Sequence, residues 1–427
     1  MMIIFLSCIS TDIDSGHPPS IETEEIPTYN SLLLPSSSCE TDKIPIIFVH
    51  GFLAAGDGFD RHAARFAANG HCLDQLFAFD WNNLEQSSSQ NELSEFIDNV
   101  IEQTGTQQVD LVGHSAGGSL SVSMMQNDER NRVRRYVHVG SSPIDNTLPI
   151  SWLNLTSTKD PIAPANEIES VQNVILEQED HFEVITSQAS FAAMYTFLYD
   201  NPPLSPEYDL SATPQIWGKA LEFGTNIPTK GTLEVYEVDP QTGLPVHDIP
   251  DYTQNVGTHG FVGPFSFIAE AVYEIRLIPE RGPTIHHFFA PFDHDNRFIR
   301  LRSLPDEGIA TQILSSLPLE EDTSVALVNY SAHSGMIVDR DTLIIDGQEQ
   351  LNEDRANAEN NTIALFHTDV NEDRANGEDP SSLSLFPFLA GTDTYWEPDL
   401  NQSISITFNG KTLYVPRYGE GIILTLQ

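Results

Sequence analysis

Apolar and polar positions alternate in two different rhythms along this chain, and the change falls near residue 200. From Ile44 to about Asp200, short apolar runs are followed by segments with helical spacing. "IPIIFV" (44–49) is a β-branched run that reads as a buried strand. In "FDRHAARFAANG", Phe59, Ala63, Phe66 and Ala67 share one side, and Gly70 marks the stop. "LFAFDW" (76–81) predicts a second strand. "NELSEFIDNVIEQTG" predicts a helix, with Leu93, Phe96, Ile97, Val100 and Ile101 on one stripe. "VDLVG", "RRYVHVG", "WLNLTST" and "SVQNVILEQ" continue as strands three to six, and "FEVITSQASFAAMYTFLYD" (182–200) predicts a long closing helix. Strand–helix alternation of this kind requires a mainly parallel sheet with helices on both faces.

Beyond Asp200 the texture is that of strands and turns. "NPPLSPEYDLSATP" is a proline-rich connector. "GTLEVYEVDPQTGLPV" reads as a strand, a turn and the start of a second strand, and seven further short strands follow. Asn409-Gly410, between "SISITF" and "KTLYVPR", is a strong two-residue hairpin signal. The expectation is an α/β fold followed by an all-β region of sandwiches or barrels. Its segments are a signal remnant or tether (1–42), the α/β domain (43–204), a connector (205–228), a sandwich-like domain (229–283) and a second β-rich domain (284–427).

Charge narrows the partners. Sixty-two acidic residues against twenty Lys and Arg leave a formal net charge of −42 over 427 residues. Such a surface repels phosphate backbones, which argues against nucleic acid, and suits an extracellular or cell-surface protein in salty surroundings. "FLSC" near the start is similar to a bacterial lipoprotein cleavage site, with Cys8 as the lipid-bearing residue and membrane attachment as the consequence; an irrelevant terminus is the alternative. Cys39 and Cys72 then remain, either as a disulfide in an oxidising compartment or as two thiols. Without any CxxC, zinc spacing is lacking.

"NEDRAN" occurs twice, at 352–357 and 371–376. "DVNEDRANGED" offers oxygen ligands at Asp369, Asn371 and Asp373, with Asp379 further on, a spacing that resembles a calcium loop. It lacks the glycine and terminal glutamate of a full loop, so a solvated acidic loop is the competing reading.

The chemistry centres on "VDLVGHSAGGSL". A serine between glycines, at the turn from a strand into a helix, is forced into a strained conformation that lifts its hydroxyl above the sheet beside backbone N–H groups. Ser115 is the expected nucleophile. It needs a base, and the base needs an orienting acid, each on a loop after a later strand. "LTSTKDPIAP" supplies Asp160 and "VILEQEDHFEV" supplies His181, with Asp145, Asp180, His138, His286, His287 and His294 as weaker competitors. "FVHGF" has the glycine that lets the next N–H turn inward, so the oxyanion donors are the backbones of Phe52 and Ala116, and His50 is a packed or loop-fixing residue.

Together "PIIFVHGF", "VDLVGHSAGG", "STKDPIAP" and "EDHFEV" resemble an α/β-hydrolase of the bacterial and archaeal lipase type. The β-rich half, with "VGPFSF", "YEIRL" and "HHFFAPFDHDNRFIRLRS", is similar to the C-terminal domain of archaeal-type lipases. The resemblance implies carboxylic-ester or lipid hydrolysis through an acyl-enzyme, with Ser115, Asp160 and His181 as the triad and no cofactor for the chemistry. Amide, lactone or polyester hydrolysis by the same residues is an alternative, as is a non-catalytic surface or lipid-binding role. About twenty residues separate "RRYVHVG" from Asp160, too few for a large helical lid, so access to the site is expected to be shaped by 191–210 or by the β region.

Overall fold

In the computed structural model, residues 39–40, 42–84, 88–128, 130–144, 148–304, 324–378, 383 and 388–426 are described. They belong to one unit, Leu34–Gln427. Six strands build the first sheet: β1 (Ile46–Val49), β2 (Leu76–Phe79), β3 (Val109–His114), β4 (Val133–Val139), β5 (Ser151–Ser157) and β6 (Gln172–Leu176). Their order is β2-β1-β3-β4-β5-β6, and every pairing is parallel.

Helices cover both faces. The alternation along β1 shows how: Ile46 and Phe48 join the core under α1 (Asp60–Ala68) and α4 (Gln188–Tyr199), with Phe66, Phe191 and Met194. Ile47 and Val49 point the other way, into the core under α2 (Ser89–Thr104) and α3 (Ala116–Gln126), with Leu93, Ile97 and Met124. A strand buried on both faces reads as a continuous apolar run, which is how β1 reads. The long closing helix differs from expectation. Residues 183–185 form a single tight turn, and α4 starts only at Gln188, because the Ser187 hydroxyl accepts the Ser190 N–H (3.1 Å) and restarts the helix there.

The second half contains β7 (Gln215–Glu222), β8 (Gly231–Val238), β9 (Tyr252–Val256), β10 (Phe261–Ser266), β11 (Val272–Pro279), β12 (Ile285–Phe289), β13 (Asn296–Ser303), β14 (Ala326–Ser331), β15 (Leu343–Ile345), β16 (Gln348–Glu349), β17 (Ala364–Thr368), β18 (Leu389–Asp393), β19 (Asp399–Phe408), β20 (Lys411–Arg417) and β21 (Gly421–Leu426). The central layer is an eight-stranded sheet ordered β18-β17-β14-β21-β12-β11-β8-β9. One face packs on β10-β7-β13 through Val235, Ile275, Phe265 and Leu301; the other packs on β16-β15-β19-β20 through Phe288, Leu327, Ile406 and Val415. The boundary drawn at 283/284 is crossed by this sheet, since β11 and β12 are paired antiparallel. The strand anticipated after "DPQTG" is reduced to a single bridge, Val238 with Pro245. Asn409 (φ 46°) and Gly410 (φ 84°) form the tight turn between β19 and β20.

The two "NEDRAN" copies fold differently. In the first, Asn352 accepts the N–H groups of Asp354 (3.0 Å) and Arg355 (3.1 Å) and starts a one-turn helix, α5 (Glu353–Ala356). In the second, the carboxylate of Asp369 takes the equivalent N–H groups, those of Asp373 and Arg374, at 3.2 and 3.1 Å. Gln350 stands where Asp369 would be in the first copy, so the identical letters meet different acceptors. Three of the four positions of the calcium-loop reading, Asp369, Asn371 and Asp373, are described. Both Asp369 oxygens are engaged by backbone, Asp373 is exposed, and Asn371 reaches only Asp393 (3.4 Å). Among the described residues, no group of three or more His, Cys, Asp or Glu is placed to hold a metal. Asp379 and Cys8 lie outside the described residues.

Candidate active site at the carboxyl edge of the parallel sheet

β3 ends at His114, and the chain reverses through Ser115 into α3. Ser115 takes φ 53°, ψ −123°, a left-handed conformation that costs an L-residue about 1–3 kcal/mol and is held by its surroundings. Its N–H donates to Val139 O (3.0 Å), and its carbonyl accepts the Ser141 hydroxyl (2.7 Å). The flanking glycines are required by space. A Cβ on Gly113 would stand 2.8 Å from Ser121 Oγ, and one on Gly117 would drive into the Val49 and His50 carbonyls.

The structure brings together the three residues expected from sequence. Ser115 Oγ donates to His181 Nε2 (3.0 Å), and His181 Nδ1 donates to Asp160 Oδ2 (2.8 Å). Asp160 and His181 are almost wholly buried, while Ser115 is half-buried. The other Asp160 oxygen accepts the N–H groups of Ile162 (2.9 Å) and Ala163 (2.8 Å), which fixes the carboxylate in place. Since a carboxylate only accepts, the imidazole proton must sit on Nδ1, which leaves Nε2 free to accept from the serine.

His50–Phe52 runs past the serine: a Cβ on Gly51 would stand 2.9 Å from Ser115 Cβ. The Phe52 N–H follows directly, and Ala116 is the first residue of α3, where backbone N–H groups have no helical acceptor. His50 is the loop-fixing residue expected. Its Nδ1 donates to Gly51 O (2.8 Å), and its Nε2 accepts from Trp81 N and Asn226 Nδ2, both at 3.2 Å. Burial holds its pKa down to about 4, so it stays neutral and keeps that tautomer.

The competitors are occupied elsewhere. His138 bonds the Tyr136 hydroxyl (2.7 Å) and Ser142 O (2.9 Å). His286, His287 and His294 belong to the β-rich half, and Asp145 lies outside the described residues. A cleft of about 430 Å³ opens onto Ser115 and Ala116, with Trp81, Leu120 and Ile162 as apolar walls and Gln90, Ser119 and Ser123 as polar ones. Among the described residues its lining runs from Trp81 to Ala163 and includes none from 191–210 or from the β region. α4 instead packs on the sheet.

Sequence reasoning missed the residues that hold these loops. His114 Nε2 donates to His181 O (2.8 Å). Asp180 Oδ1 accepts the Phe182 and Glu183 N–H groups, both at 2.8 Å, and its Oδ2 accepts from Gly335 N and Arg340 Nη1, both at 2.9 Å. Asn226 reaches back to Ala54 O (2.9 Å) and Trp81 O (3.2 Å). Leu53 and Phe182 are seated in a core otherwise built from the second half, including Phe223, Phe366 and Phe388.

Three carboxylates of the α/β half also face that second half. Asp80 meets Arg300 and Lys219, Asp57 meets Arg302 (2.8 Å), and Asp60 meets His333 (2.6 Å) and Asn296 (2.9 Å). Burial opposes ionisation of Asp80, but Arg300 and Lys219 outweigh it and hold its pKa well below the usual carboxylate range.

Residues 44–163 match the α/β hydrolase fold family, and residues 213–305 match the lipase C-terminal domain. The chain is thus similar to an α/β hydrolase over its first matched stretch and to a lipase C-terminal domain over its second. Solved structures similar to it include a CIB-like hydrolase from Thermoplasma acidophilum (15% identity, TM-score 0.32, covering 39% of this chain and 90% of that one). Others are the mature lipase of Bacillus licheniformis (15%, 0.33, 38% and 94%) and a carboxylesterase of Bacillus subtilis (12%, 0.31, 38% and 86%). Within the lipase C-terminal domain fall Arg300 and Arg302, so the buried ion pairs link the two matched domains.

Proposed function

We propose that this α/β-hydrolase cleaves carboxylic esters through an acyl-enzyme on Ser115. The observation that carries the reading is the hydrogen-bonded chain from Ser115 Oγ through His181 to Asp160. His181 Nε2 takes the hydroxyl proton as Oγ attacks the ester carbonyl. Asp160 holds the ring and stabilises the imidazolium that forms. The negative oxygen of the tetrahedral intermediate is met by the Phe52 and Ala116 N–H groups, each donor contributing about 3–4 kcal/mol to the transition state. His181 then gives its proton to the departing alkoxide, the acyl-serine forms, and water repeats the sequence to release the acid.

Labelling with a fluorophosphonate tests this. The expected result is one adduct, on Ser115, together with turnover of p-nitrophenyl esters that Ser115→Ala abolishes. Folded protein that takes no label and turns over no ester from C2 to C16 would sink the reading.

We also propose that the protein works in an oxidising compartment. The support is the Cys39–Cys72 disulfide, which closes a loop of 33 residues. Alkylating cells of the native host before lysis is the check, and two free thiols at these positions would count against it.

A further inference from the structure

We infer that Asn361, on the far side of the molecule in sequence, is a positioning residue for His181. The inference rests on the reading of His181 as the base of an ester hydrolase, and concerns what sets that base in place. An imidazole can take a serine proton only if it is fixed to within a fraction of an ångström, and the ring bonds to Asp160 and Ser115 set the ring atoms while leaving the backbone at its root to other anchors.

Both polar groups of the His181 backbone are held by side chains. On one side the carbonyl receives His114 Nε2 from within the hydrolase domain. On the other, the His181 N–H donates to Asn361 Oδ1 at 2.9 Å, across 180 residues of chain. Asn361 is itself immobilised. It is fully buried, it sits at φ 46° just before β17, and its Nδ2 donates to Ala358 O (2.6 Å). A Cβ added to the neighbouring Gly335 would stand only 3.0 Å from the Asn361 Cα. The ring of His181 lies parallel to Phe388, with an interplanar angle of 5° and centroids 5.8 Å apart. Thus the second half supplies one of the two backbone anchors of the base and the surface against which its ring rests.

The left-handed backbone makes the residue type informative. Asn adopts φ near +46° with little strain, as does Gly, so Asn361→Gly removes the acceptor while leaving the local fold available. Asn361→Asp keeps an oxygen at the acceptor position but exchanges the N–H that donates to Ala358 O for a second oxygen. The geometry leads to a separation of kcat from KM, because the described lining of the cleft at Ser115 lies between Trp81 and Ala163 and does not include Asn361.

The experiment compares wild type, Asn361→Gly and Asn361→Asp in the full chain. Active sites are counted by fluorophosphonate titration, so that unfolded protein does not enter kcat. Expected for Asn361→Gly is a kcat about 10- to 100-fold lower with KM within about twofold, the loss a misplaced catalytic group produces. Asn361→Asp should recover it only in part, because its second oxygen faces the Ala358 carbonyl. In parallel, the downfield proton resonance of His181 Nδ1–H should weaken or broaden in Asn361→Gly. Wild-type kcat and an unchanged resonance in Asn361→Gly would overturn the inference. If wild type turns over no ester, the hydrolase reading has failed, and the resonance alone decides the positioning role: its loss in Asn361→Gly supports it and its persistence refutes it.

Discussion

Arg300 lays its guanidinium along both oxygens of Asp80, Nε to Oδ1 and Nη2 to Oδ2, each at 2.9 Å, from 220 residues further along the chain. Both side chains are 2% exposed, so the pair is desolvated and its partners depend on each other. Asp80 Oδ1 also accepts the Gly56 N–H (2.9 Å), which ties the pair to the loop after β1.

Replacing Arg300 with Met should therefore destabilise the protein by about 3 kcal/mol, the lower end for breaking a buried pair, because Lys219 remains at 2.9 Å as a second cation. Urea unfolding measures this. Adding Asp80→Asn should not restore the loss, because it also takes the carboxylate from Lys219. A change under about 1 kcal/mol in Arg300→Met would show that the pair does not hold the two halves together.

Asp160→Asn separates orientation from shape. The amide can occupy the same space and still accept from Ile162 and Ala163, but it cannot hold His181 in the Nδ1–H tautomer as a carboxylate does. Ester turnover should fall about 10⁴-fold, with folding stability within about 1–2 kcal/mol of wild type. Retention of a tenth of the activity would remove Asp160 from its assigned role.

Cys72→Ser opens the 33-residue loop and should lower stability by about 3–4 kcal/mol in the chain-entropy account. Reduced wild type should match the variant in thermal melting. Equal melting temperatures for oxidised and reduced protein would contradict this.

Acid should unfold the protein at mild pH. Burial holds His50 and His138 to about 4, and His71, His287 and His367 to about 3, against about 6.5 when unfolded. The unfolded chain therefore binds more protons between these values. Their contribution is complete above pH ~6.5 and is lost as pH falls toward 4, by up to about 1.4 kcal/mol per histidine per pH unit. His286 acts oppositely: burial disfavours its charge, but Glu274 and Glu420 outweigh burial and raise its pKa, so its contribution is present below 6.5 and lost as pH rises through the raised value. One such residue does not offset five. Melting temperatures measured from pH 7.5 to 4.5 should drop steeply below pH 6.5, and a flat profile would refute the sign.

What could be read from the chain was whatever is encoded locally. Ser115 announced itself because a strand, two small residues and a helix start lie within a dozen positions; Asp160 and His181 followed from the loop order that such a turn imposes. The Asn409-Gly410 turn was visible for the same reason, two residues needing positive φ. Arg300, Asn361 and Phe388 carry no local mark. An arginine in "RFIRLRS" looks like any polar position on a strand, and only the approach of Asp80 gives it meaning. The two "NEDRAN" copies make the point within one sequence: Asp369, two positions upstream, captures the donors that Asn352 receives in the other copy.

Leu53 and Phe182 sit like two plugs in an apolar receptacle furnished almost entirely by residues beyond 222. Cutting the chain at the connector would uncover the plugs on one fragment and vacant greasy sockets on the other, inviting each to clump. Anyone grafting this hydrolase onto a different companion would have to rebuild those sockets along with the linker, or else repaint both plugs with polar side chains and accept slacker loops around the serine.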